Sequence, residues 1–197
     1  TTTTTTTTTP TTLIGGMGVL AALGLEQHKA LLCSIHTFGK AAGCHGAVVV
    51  GSKTVKDYLI NYARPFIYST ALPLHALLSI KCSYQTMSST TSGDALRTKL
   101  FSLVAFFRTA IQKELSQRHP DQKNIINLLL LPSPSPIQAL CIPGNHACLE
   151  FANALGTRHK IHVFAIRAPT VPKGQERIRI VLHANNTQQQ VATLVDA

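Results

Sequence analysis

Residues 34–53, SIHTFGKAAGCHGAVVVGSK, decide the fold of this 197-residue chain. An apolar segment leads into a turn that contains Lys40, and a β-branched run at 46–51 follows it, with glycines throughout. Such apolar runs predict two buried strands joined by a tight loop. We expect this loop to desolvate Lys40 and lower its pKa, because burial disfavours the charged amine. A neutral amine is the nucleophile of Schiff-base chemistry. The alternative is a lysine that extends into water.

The composition indicates a folded protein that attracts an anionic ligand. Hydrophobic residues make up 45% of the chain and charged residues 13%, which suffices for a core. The net charge is +10, but the 18 Lys and Arg residues are scattered and aromatic residues are only 6%. Because nucleic-acid binding needs a basic patch, we expect no nucleic-acid partner and favour an anionic substrate or cofactor. No apolar run reaches the roughly 18 residues of a membrane span, so no membrane partner is expected.

The cysteines indicate a reduced, intracellular protein. The chain has five cysteines, an odd number, and none of them forms a C-x-x-C pair. Cys44 and His45 are adjacent and could be metal ligands, but they have no companion ligands at close spacing, so no metal is expected. We expect a cytoplasmic location and leave a peroxisomal one open.

The pattern of polar and apolar residues predicts alternating helices and strands. Helices are expected at 52–63, 73–88, 92–118, 144–158 and 185–197, and strands at 126–131, 137–142, 159–166 and 177–184. In the longest helix a stripe of apolar residues at helical spacing predicts core packing. The stripe consists of Leu96, Leu100, Leu103, Val104, Phe107, Ile111 and Leu115.

Local signals add caps and a domain division. Ser52 or Thr54 is expected to cap the first of these helices, and Asn185 or Asn186 the last. Residues 65–70 are expected to be extended. The threonine run at the start has no apolar face, so residues 1–23 are predicted to be a low-complexity, disordered leader. Residues 24–90 are predicted to be part of a larger α/β domain, and residues 91–197 a compact α+β domain.

Two blocks carry a resemblance to a known family. Residues 36–73, HTFGKAAGCHGAVVVGSKTVKDYLINYARPFIYSTALP, and residues 164–184, FAIRAPTVPKGQERIRIVLHA, resemble the α-oxoamine synthases. These are pyridoxal-phosphate (PLP) enzymes related to the class I and II aminotransferases. The resemblance implies an α/β fold: the C-terminal part of the large domain of a PLP-dependent transferase of fold type I, followed by a small α+β domain.

The resemblance also implies the residues of a cofactor site. Lys40 would form the covalent link to PLP and later move the α proton of the substrate. Thr37 would hydrogen-bond the cofactor near its phosphate. Tyr68, Ser69 and Thr70 would reach the cofactor phosphate of a partner subunit across a dimer interface. Tyr68 could instead be a core residue with a satisfied hydroxyl group.

The implied reaction condenses an amino acid with an acyl-CoA and releases CO2 and CoA. Arg179 would bind the amino-acid carboxylate, because a guanidinium group matches a carboxylate with two parallel hydrogen bonds. Thr170 would line the acyl-CoA side of the site. The motifs are most similar to those of enzymes that join alanine and pimeloyl-CoA to form 8-amino-7-oxononanoate in biotin synthesis. Arg179 alternates with Ile178 and Ile180, so it could also be the exposed face of a strand.

Part of the family pattern has no counterpart in this chain. The family has a Gly-rich turn, a stacking histidine and a D-E-A-H-type aspartate before the cofactor lysine, whereas Glu26 is the only acidic residue before Lys40. We therefore expect a fragment, acting as a homodimer or as a heterodimer with a full-length homologue. The alternatives are a non-catalytic or degenerate subunit that completes a partner's active site, and a sibling aminoketone synthase that uses another acyl-CoA.

Overall fold

The computed structural model describes residues 16–118 and 129–197. It divides the chain into two compact units, Thr1–Ala95 and Leu96–Ala197. Most of the predicted leader, up to residue 15, lies outside the described residues. Its remaining part contains a short helix, α1 (Val19–Ala22).

The first unit combines a small sheet with three further helices. Its elements are β1 (Cys33–Thr37), β2 (Ala47–Gly51), α2 (Lys53–Tyr62), α3 (Arg64–Ile67) and α4 (Leu74–Ser88). The two strands pair antiparallel, with Cys33 opposite Gly51 and Thr37 opposite Ala47. The predicted pair of strands around the lysine loop is therefore present, and the loop joins them directly.

The prediction that these two strands are buried is wrong for the described residues. Every residue of β2 is exposed, and Ile35 of β1 is 67% exposed. Phe38 is the one hydrophobic side chain that is buried among the residues described for this unit. A two-stranded sheet can bury its apolar faces only if another layer covers them, and the described part of this unit supplies no such layer.

The boundaries of α2 and α3 follow from local chemistry. The Ser52 hydroxyl accepts a hydrogen bond from the Val55 amide (3.3 Å), so the predicted Ser52 cap is confirmed. The prediction of an extended segment at 65–70 is wrong over its first part, because Arg64–Ile67 is a helical turn. Pro65 lies in the first turn of this helix, where its missing N–H costs no hydrogen bond.

The second unit packs helices against a three-stranded sheet. Its elements are most of α5 (Ser92–Arg118), then β3 (Ile137–Cys141), α6 (Asn145–His159), β4 (Phe164–Ile166), β5 (Arg177–Val181) and α7 (Gln188–Asp196). The strand order is β3-β5-β4, with both pairs antiparallel. Of the predicted strand 126–131, residues 126–128 lie outside the described residues, and Leu130 forms an isolated bridge with Leu140.

The core of this unit contains the predicted apolar stripe of α5. Leu103, Val104 and Phe107 are buried, and Phe107 is only 1% exposed. They pack in one cluster whose other buried members are Leu130, Cys148, Ile178, Ile180, Leu182, Val191 and Val195. Leu96, at the start of the stripe, is exposed. Core packing is therefore the role of the central part of the stripe.

The cap predicted for the last helix is wrong by one or two residues. Thr187, rather than Asn185 or Asn186, caps α7: its hydroxyl accepts from the Gln190 amide, and the Gln190 side chain accepts from the Thr187 amide. This reciprocal pair is a capping box. Asn186 instead accepts a hydrogen bond from the His183 amide with its side chain. Across the described ranges no helix has the length and apolarity to cross a bilayer.

Candidate active site

The loop that carries Lys40 is held closed by backbone hydrogen bonds. The Phe38 amide donates to the Gly46 carbonyl oxygen (2.9 Å), and the Cys44 amide donates to the Phe38 carbonyl oxygen (2.8 Å). Within the loop, the Gly43 amide donates to the carbonyl oxygen of Lys40 (2.9 Å). The backbone of Lys40 is therefore fixed at the first position of a tight turn.

Helix α4 supports this loop from one side. The Ser83 hydroxyl donates to the Ala42 carbonyl oxygen (2.7 Å). The ring of Tyr84 lies edge-on to the ring of Phe38, with 6.1 Å between the centroids. Two consecutive residues of α4 thus hold the loop on both sides of Lys40 in sequence.

Gly46 closes the loop where a side chain would not fit. Its φ is +102°, a conformation that residues with a Cβ rarely adopt. A Cβ at this position would lie 3.0 Å from Leu72 Cδ1 and 3.7 Å from Phe38 Cδ2. The close approach of backbone to Leu72 and Phe38 therefore requires glycine here.

Lys40 itself differs from the expectation of a desolvated side chain. Its side chain is exposed, as is that of Thr37 at the end of β1. The prediction of a largely apolar setting is wrong for the described residues: Phe38 is buried and lies with Leu72 next to Gly46, while the Lys40 side chain is exposed. What the described residues present is an accessible primary amine on a rigid turn, with a hydroxyl three residues earlier.

Tyr68, Ser69 and Thr70 form a second exposed segment of the same unit. They follow α3, and Tyr68 is 77% exposed, so the alternative of a core tyrosine is wrong. The guanidinium of Arg64 lies 5.4 Å from the centroid of the Tyr68 ring, a cation–π contact. The Ser69 hydroxyl donates to the Pro65 carbonyl oxygen. The segment therefore has an ordered backbone and side chains that face solvent.

Thr170 and Arg179 lie in the second unit. Thr170 is exposed in the turn that follows β4, where the Val171 amide donates to the Arg167 carbonyl oxygen (3.3 Å). Arg179 is in the central strand β5, between the buried Ile178 and Ile180. Its guanidinium lies 5.1 Å from the centroid of the Phe164 ring on the neighbouring strand. Arg179 thus lies on the sheet face opposite the core, with its long side chain supported by an aromatic ring.

Two buried ionisable groups of the second unit were not predicted. Glu176 is 1% exposed, and hydrogen bonds to its carboxylate, chiefly from the Gly144 amide, lower its pKa below the ordinary value. Cys148 is fully buried, and loss of solvent raises the pKa of its thiol. One feature of the sequence could have pointed to Glu176: it is the only acidic residue between Glu150 and Asp196.

The residues that support the lysine loop could not be predicted from the sequence. Ser83 and Tyr84 occur in an ordinary helical pattern, and nothing local marks them as supports of a loop 41 residues earlier. Among the described residues, no group of three or more His, Cys, Asp or Glu side chains could hold a metal ion.

The sequence-predicted residues thus fall into three groups. Thr37 and Lys40 lie at one end of the β1–β2 pair, Tyr68 to Thr70 follow α3 in the same unit, and Thr170 and Arg179 belong to the second unit. Each group presents side chains to solvent, and each is suited to hold polar atoms of a ligand.

Comparison with known proteins identifies the family of this chain. The model of the aminotransferase class I and II family matches residues 10–197. A curated relative, 8-amino-7-oxononanoate synthase from Cellvibrio japonicus, is 38% identical over 181 residues, which are 92% of this chain and 41% of the relative. The chain therefore spans about two fifths of the length of the relative.

Solved structures agree on the fold. 8-Amino-7-oxononanoate synthase from Francisella tularensis aligns with a TM-score of 0.63 and 29% identity, covering 84% of this chain and 44% of that one. A structure of SPT with a PLP internal aldimine aligns with a TM-score of 0.75 and 22% identity, covering 93% of this chain and 42% of that one. These matches confirm the predicted fold class, the C-terminal part of a fold type I transferase. The chain belongs to the aminotransferase class I and II family.

Proposed function

We propose that this chain supplies the C-terminal part of a PLP-dependent acyltransferase that condenses an amino acid with an acyl-CoA and releases CO2 and CoA. The observation that carries the proposal is the exposed amine of Lys40 on a rigid, Gly-rich turn. The substrates that we propose are alanine and pimeloyl-CoA, and the proposed product is 8-amino-7-oxononanoate, of biotin synthesis. The relative from Cellvibrio japonicus, an 8-amino-7-oxononanoate synthase, supports this product.

The side chains of the first unit fit the chemistry of PLP, which is an aldehyde with a phosphate group. An accessible primary amine, Lys40, can bond to the aldehyde, and the hydroxyl groups of Thr37, Tyr68, Ser69 and Thr70 can satisfy phosphate oxygens. When bound, PLP supplies an electron sink for the carbanion that the reaction requires. The turn that contains Lys40 would also position its amine so that it can accept the α proton of the substrate and return it.

Arg179 and Thr170 are proposed to bind the substrates. The Arg179 guanidinium can pair with a carboxylate through two parallel hydrogen bonds. Its contact with the Phe164 ring restricts the long side chain before any substrate arrives, which reduces the entropy lost on binding. Thr170 is assigned to the acyl-CoA side, where its exposed hydroxyl can orient a polar group of the thioester substrate.

A second polypeptide is part of this proposal. Ile35 is 67% exposed and Val50 is 53% exposed on the β1–β2 pair, and Leu77 and Leu78 of α4 are exposed as well. Large apolar side chains exposed in this number favour a protein partner. We propose a dimer, with a second copy or with a full-length homologue, in which Tyr68, Ser69 and Thr70 serve the partner's cofactor phosphate.

A non-catalytic role is the second candidate function. Lys40 is exposed rather than enclosed by the described residues. This observation favours a subunit that lends residues to a partner's active site and has no enclosed site of its own. A sibling aminoketone synthase with another acyl-CoA differs from the leading proposal only in the acyl pocket.

We propose a cytoplasmic location, with a peroxisomal alternative, because the described cysteines are all free thiols.

Trapping of the cofactor directly tests the proposed reaction of Lys40 with PLP. The purified chain is incubated with PLP and reduced with borohydride, and mass spectrometry locates the modified lysine. We expect modification at Lys40, lost in Lys40→Ala and retained in Lys56→Ala, which removes an exposed lysine of α2. Labelling spread evenly over surface lysines would contradict a cofactor site in this chain.

Turnover separates the candidate functions. Alanine and pimeloyl-CoA are supplied to the chain alone and to the chain mixed with a full-length homologue, and CoA release is measured. Release that depends on Lys40 supports the acyltransferase. Co-purification with the homologue, with turnover that persists in Lys40→Ala but falls when Tyr68, Ser69 and Thr70 are replaced by alanine, supports the non-catalytic subunit. If the chain stays monomeric both alone and in the mixture, that result contradicts the proposed dimer.

A further inference from the structure

Two connections of the second unit lie side by side at one end of its sheet. One is the segment 142–144, between β3 and α6, and the other is the segment 167–176, between β4 and β5, which carries Thr170. The Ile142 amide donates to the carbonyl oxygen of Glu176 (2.9 Å), which extends the pairing of β3 and β5 by one step. Residue 176 is thus the point where the second connection meets the first.

The carboxylate of Glu176 joins the two connections. Its Oε2 atom accepts hydrogen bonds from the Gly144 amide (2.9 Å) and from the Gly174 amide (2.9 Å). The residue is 1% exposed, so these bonds form with almost no competition from water. One oxygen atom therefore holds both the residue before α6 and the turn that precedes β5.

The charge of Glu176 also replaces a cap that α6 does not have. Helix α6 has no acidic residue in its first turn. Its N-cap residue is Gly144, which has no side-chain atom that could accept a hydrogen bond. A helix N-terminus carries unpaired amides and a partial positive charge. Glu176 supplies an anion at this end from 32 residues away in sequence.

A second bond ties the other end of the connection to the same helix. The side-chain oxygen of Asn145, the first residue of α6, accepts a hydrogen bond from the Ala168 amide (3.0 Å). Ala168 lies two residues before Thr170. The segment 167–176 is therefore fastened near both of its ends to the start of α6.

We propose that Glu176 is a positioning residue: together with Asn145 it fastens the segment 167–176 to the start of α6 and so sets the position of Thr170 and the entry into β5, which carries Arg179. The substrate roles of Thr170 and Arg179 rest on the proposed function, whereas the fastening itself does not. Glu176 touches no substrate and acts through the backbone amides that it holds.

Amide hydrogen exchange on the full chain tests the fastening without any need for activity. In Glu176→Ala we expect exchange at the Gly144 and Gly174 amides to rise by about tenfold or more, the effect of losing hydrogen bonds to a charged group. We expect exchange at the Ala168 amide to rise as well, because Glu176 holds the residue that precedes its acceptor, Asn145. In Asn145→Ala we expect the same rise at Ala168 while Gly174 stays protected. The matched control is Glu150→Ala, which removes an exposed carboxylate of α6 and should leave all three amides unchanged.

Two outcomes of this experiment would overturn the proposal. One is an equal rise at all amides of residues 129–197, including Ile178 and Ile180, which would make Glu176 a general stabiliser of the unit. The other is an unchanged Ala168 amide in Glu176→Ala. If Glu176→Ala does not fold, Glu176→Gln keeps the shape of the side chain and removes its charge, and it is compared in the same way.

A kinetic measurement tests the consequence for the substrate. In a preparation that shows turnover, Glu176→Gln should raise the KM for the amino acid by about tenfold with a smaller change in kcat, and Glu150→Gln should change neither. An unchanged KM alongside increased exchange would overturn the positioning role. A wild-type chain without turnover in any preparation would count against the proposed function, and the exchange experiment would still decide whether Glu176 fastens the segment.

Discussion

The Ser83 hydroxyl donates a 2.7 Å hydrogen bond to the carbonyl oxygen of Ala42, 41 residues earlier in the chain. Ala42 lies two residues after Lys40, so this bond connects α4 to the turn that presents the lysine. The neighbouring residue, Tyr84, packs edge-on against Phe38 on the other side of Lys40 in sequence. The position of the candidate cofactor lysine thus depends on a helix in which no candidate cofactor-binding residue was predicted.

Loss of the Ser83 hydroxyl should loosen the lysine loop. We expect Ser83→Ala to lower the free energy of unfolding of the chain by about 1 kcal/mol, the typical net value of one hydrogen bond. We also expect a lower yield of PLP trapped at Lys40 by borohydride. The control is Ser79→Ala, because the Ser79 hydroxyl bonds to the His75 carbonyl oxygen within α4 and does not touch the loop. Equal trapping in the two variants would contradict the support that we assign to Ser83.

A side chain at position 46 should strain the same loop. Gly46 has a φ of +102°, and an added Cβ would lie 3.0 Å from Leu72 Cδ1. We expect Gly46→Ala to destabilise the chain by about 1–3 kcal/mol in urea unfolding, the range for a residue forced into a disfavoured backbone conformation. Gly39→Ala is the matched control, since its φ is not positive and its added Cβ has an ordinary 3.7 Å contact. A Gly39→Ala variant as unstable as Gly46→Ala would rule out this explanation.

Arg179 should be sensitive even to replacement by lysine. A single ammonium group cannot reproduce two parallel hydrogen bonds to a carboxylate. In a preparation with turnover, we expect Arg179→Lys to raise the KM for the amino acid by about tenfold or more, because one hydrogen bond to a charged group is worth about 1.5–3 kcal/mol. Arg177→Lys provides the control: the Arg177 guanidinium is already bonded to the Gln175 carbonyl oxygen (2.9 Å). Similar KM values in both variants would argue against a specific role for Arg179.

The buried carboxylate of Glu176 should make stability depend on pH in the acid range. Its pKa lies below the ordinary value of 4.5, first because the Gly144 amide donates to it, with a further contribution from the positive charge of Lys173. Cys148 and Arg167 are the other ionisable groups close enough to interact with this part of the unit. A carboxylate whose pKa is lowered by folding stabilises the fold above its ordinary pKa, and this stabilisation is lost as pH falls through the folded-state pKa.

The free energy of unfolding of the wild-type chain, minus that of Glu176→Gln, should therefore be largest above the ordinary pKa of 4.5 and should shrink as the pH falls below it, through the lowered folded-state pKa. Urea unfolding at a series of pH values measures this difference. A difference that stays constant over the whole range would mean that Glu176 has the same pKa in the folded and unfolded chain.

Much of the local structure could be predicted from the order of residues. The stripe of apolar residues in 92–118 predicted a helix with the observed ends and a central buried face, because helical periodicity does not depend on distant contacts. The alternation of Arg179 with two isoleucines likewise predicted a strand with one buried face. The Ser52 cap followed from a hydroxyl immediately before a helical pattern.

Several predictions depended on partners that lie far away in sequence. The valines of β2 were expected to be buried, but their exposure is decided by whether another layer covers the sheet. Lys40 was expected in an apolar setting, but Phe38 and Leu72 lie next to Gly46 and the lysine side chain is exposed. Residues 65–67 were expected to be extended but belong to a helical turn; Pro65 is compatible with both conformations, so it could not decide between them.

Residue types and their periodicity were thus sufficient to predict most of the helices and strands. The resemblance of residues 36–73 and 164–184 to a known family was what indicated the family and the candidate residues, including Lys40 and Arg179. Only the tertiary structure decided which groups hold them in place: Ser83 and Tyr84 at the lysine loop, and Glu176 and Asn145 at the connection that carries Thr170. The physical reason is that a hydrogen bond or a ring contact acts over a few ångströms, and residues separated by 23 to 46 positions reach that distance only once the chain has folded.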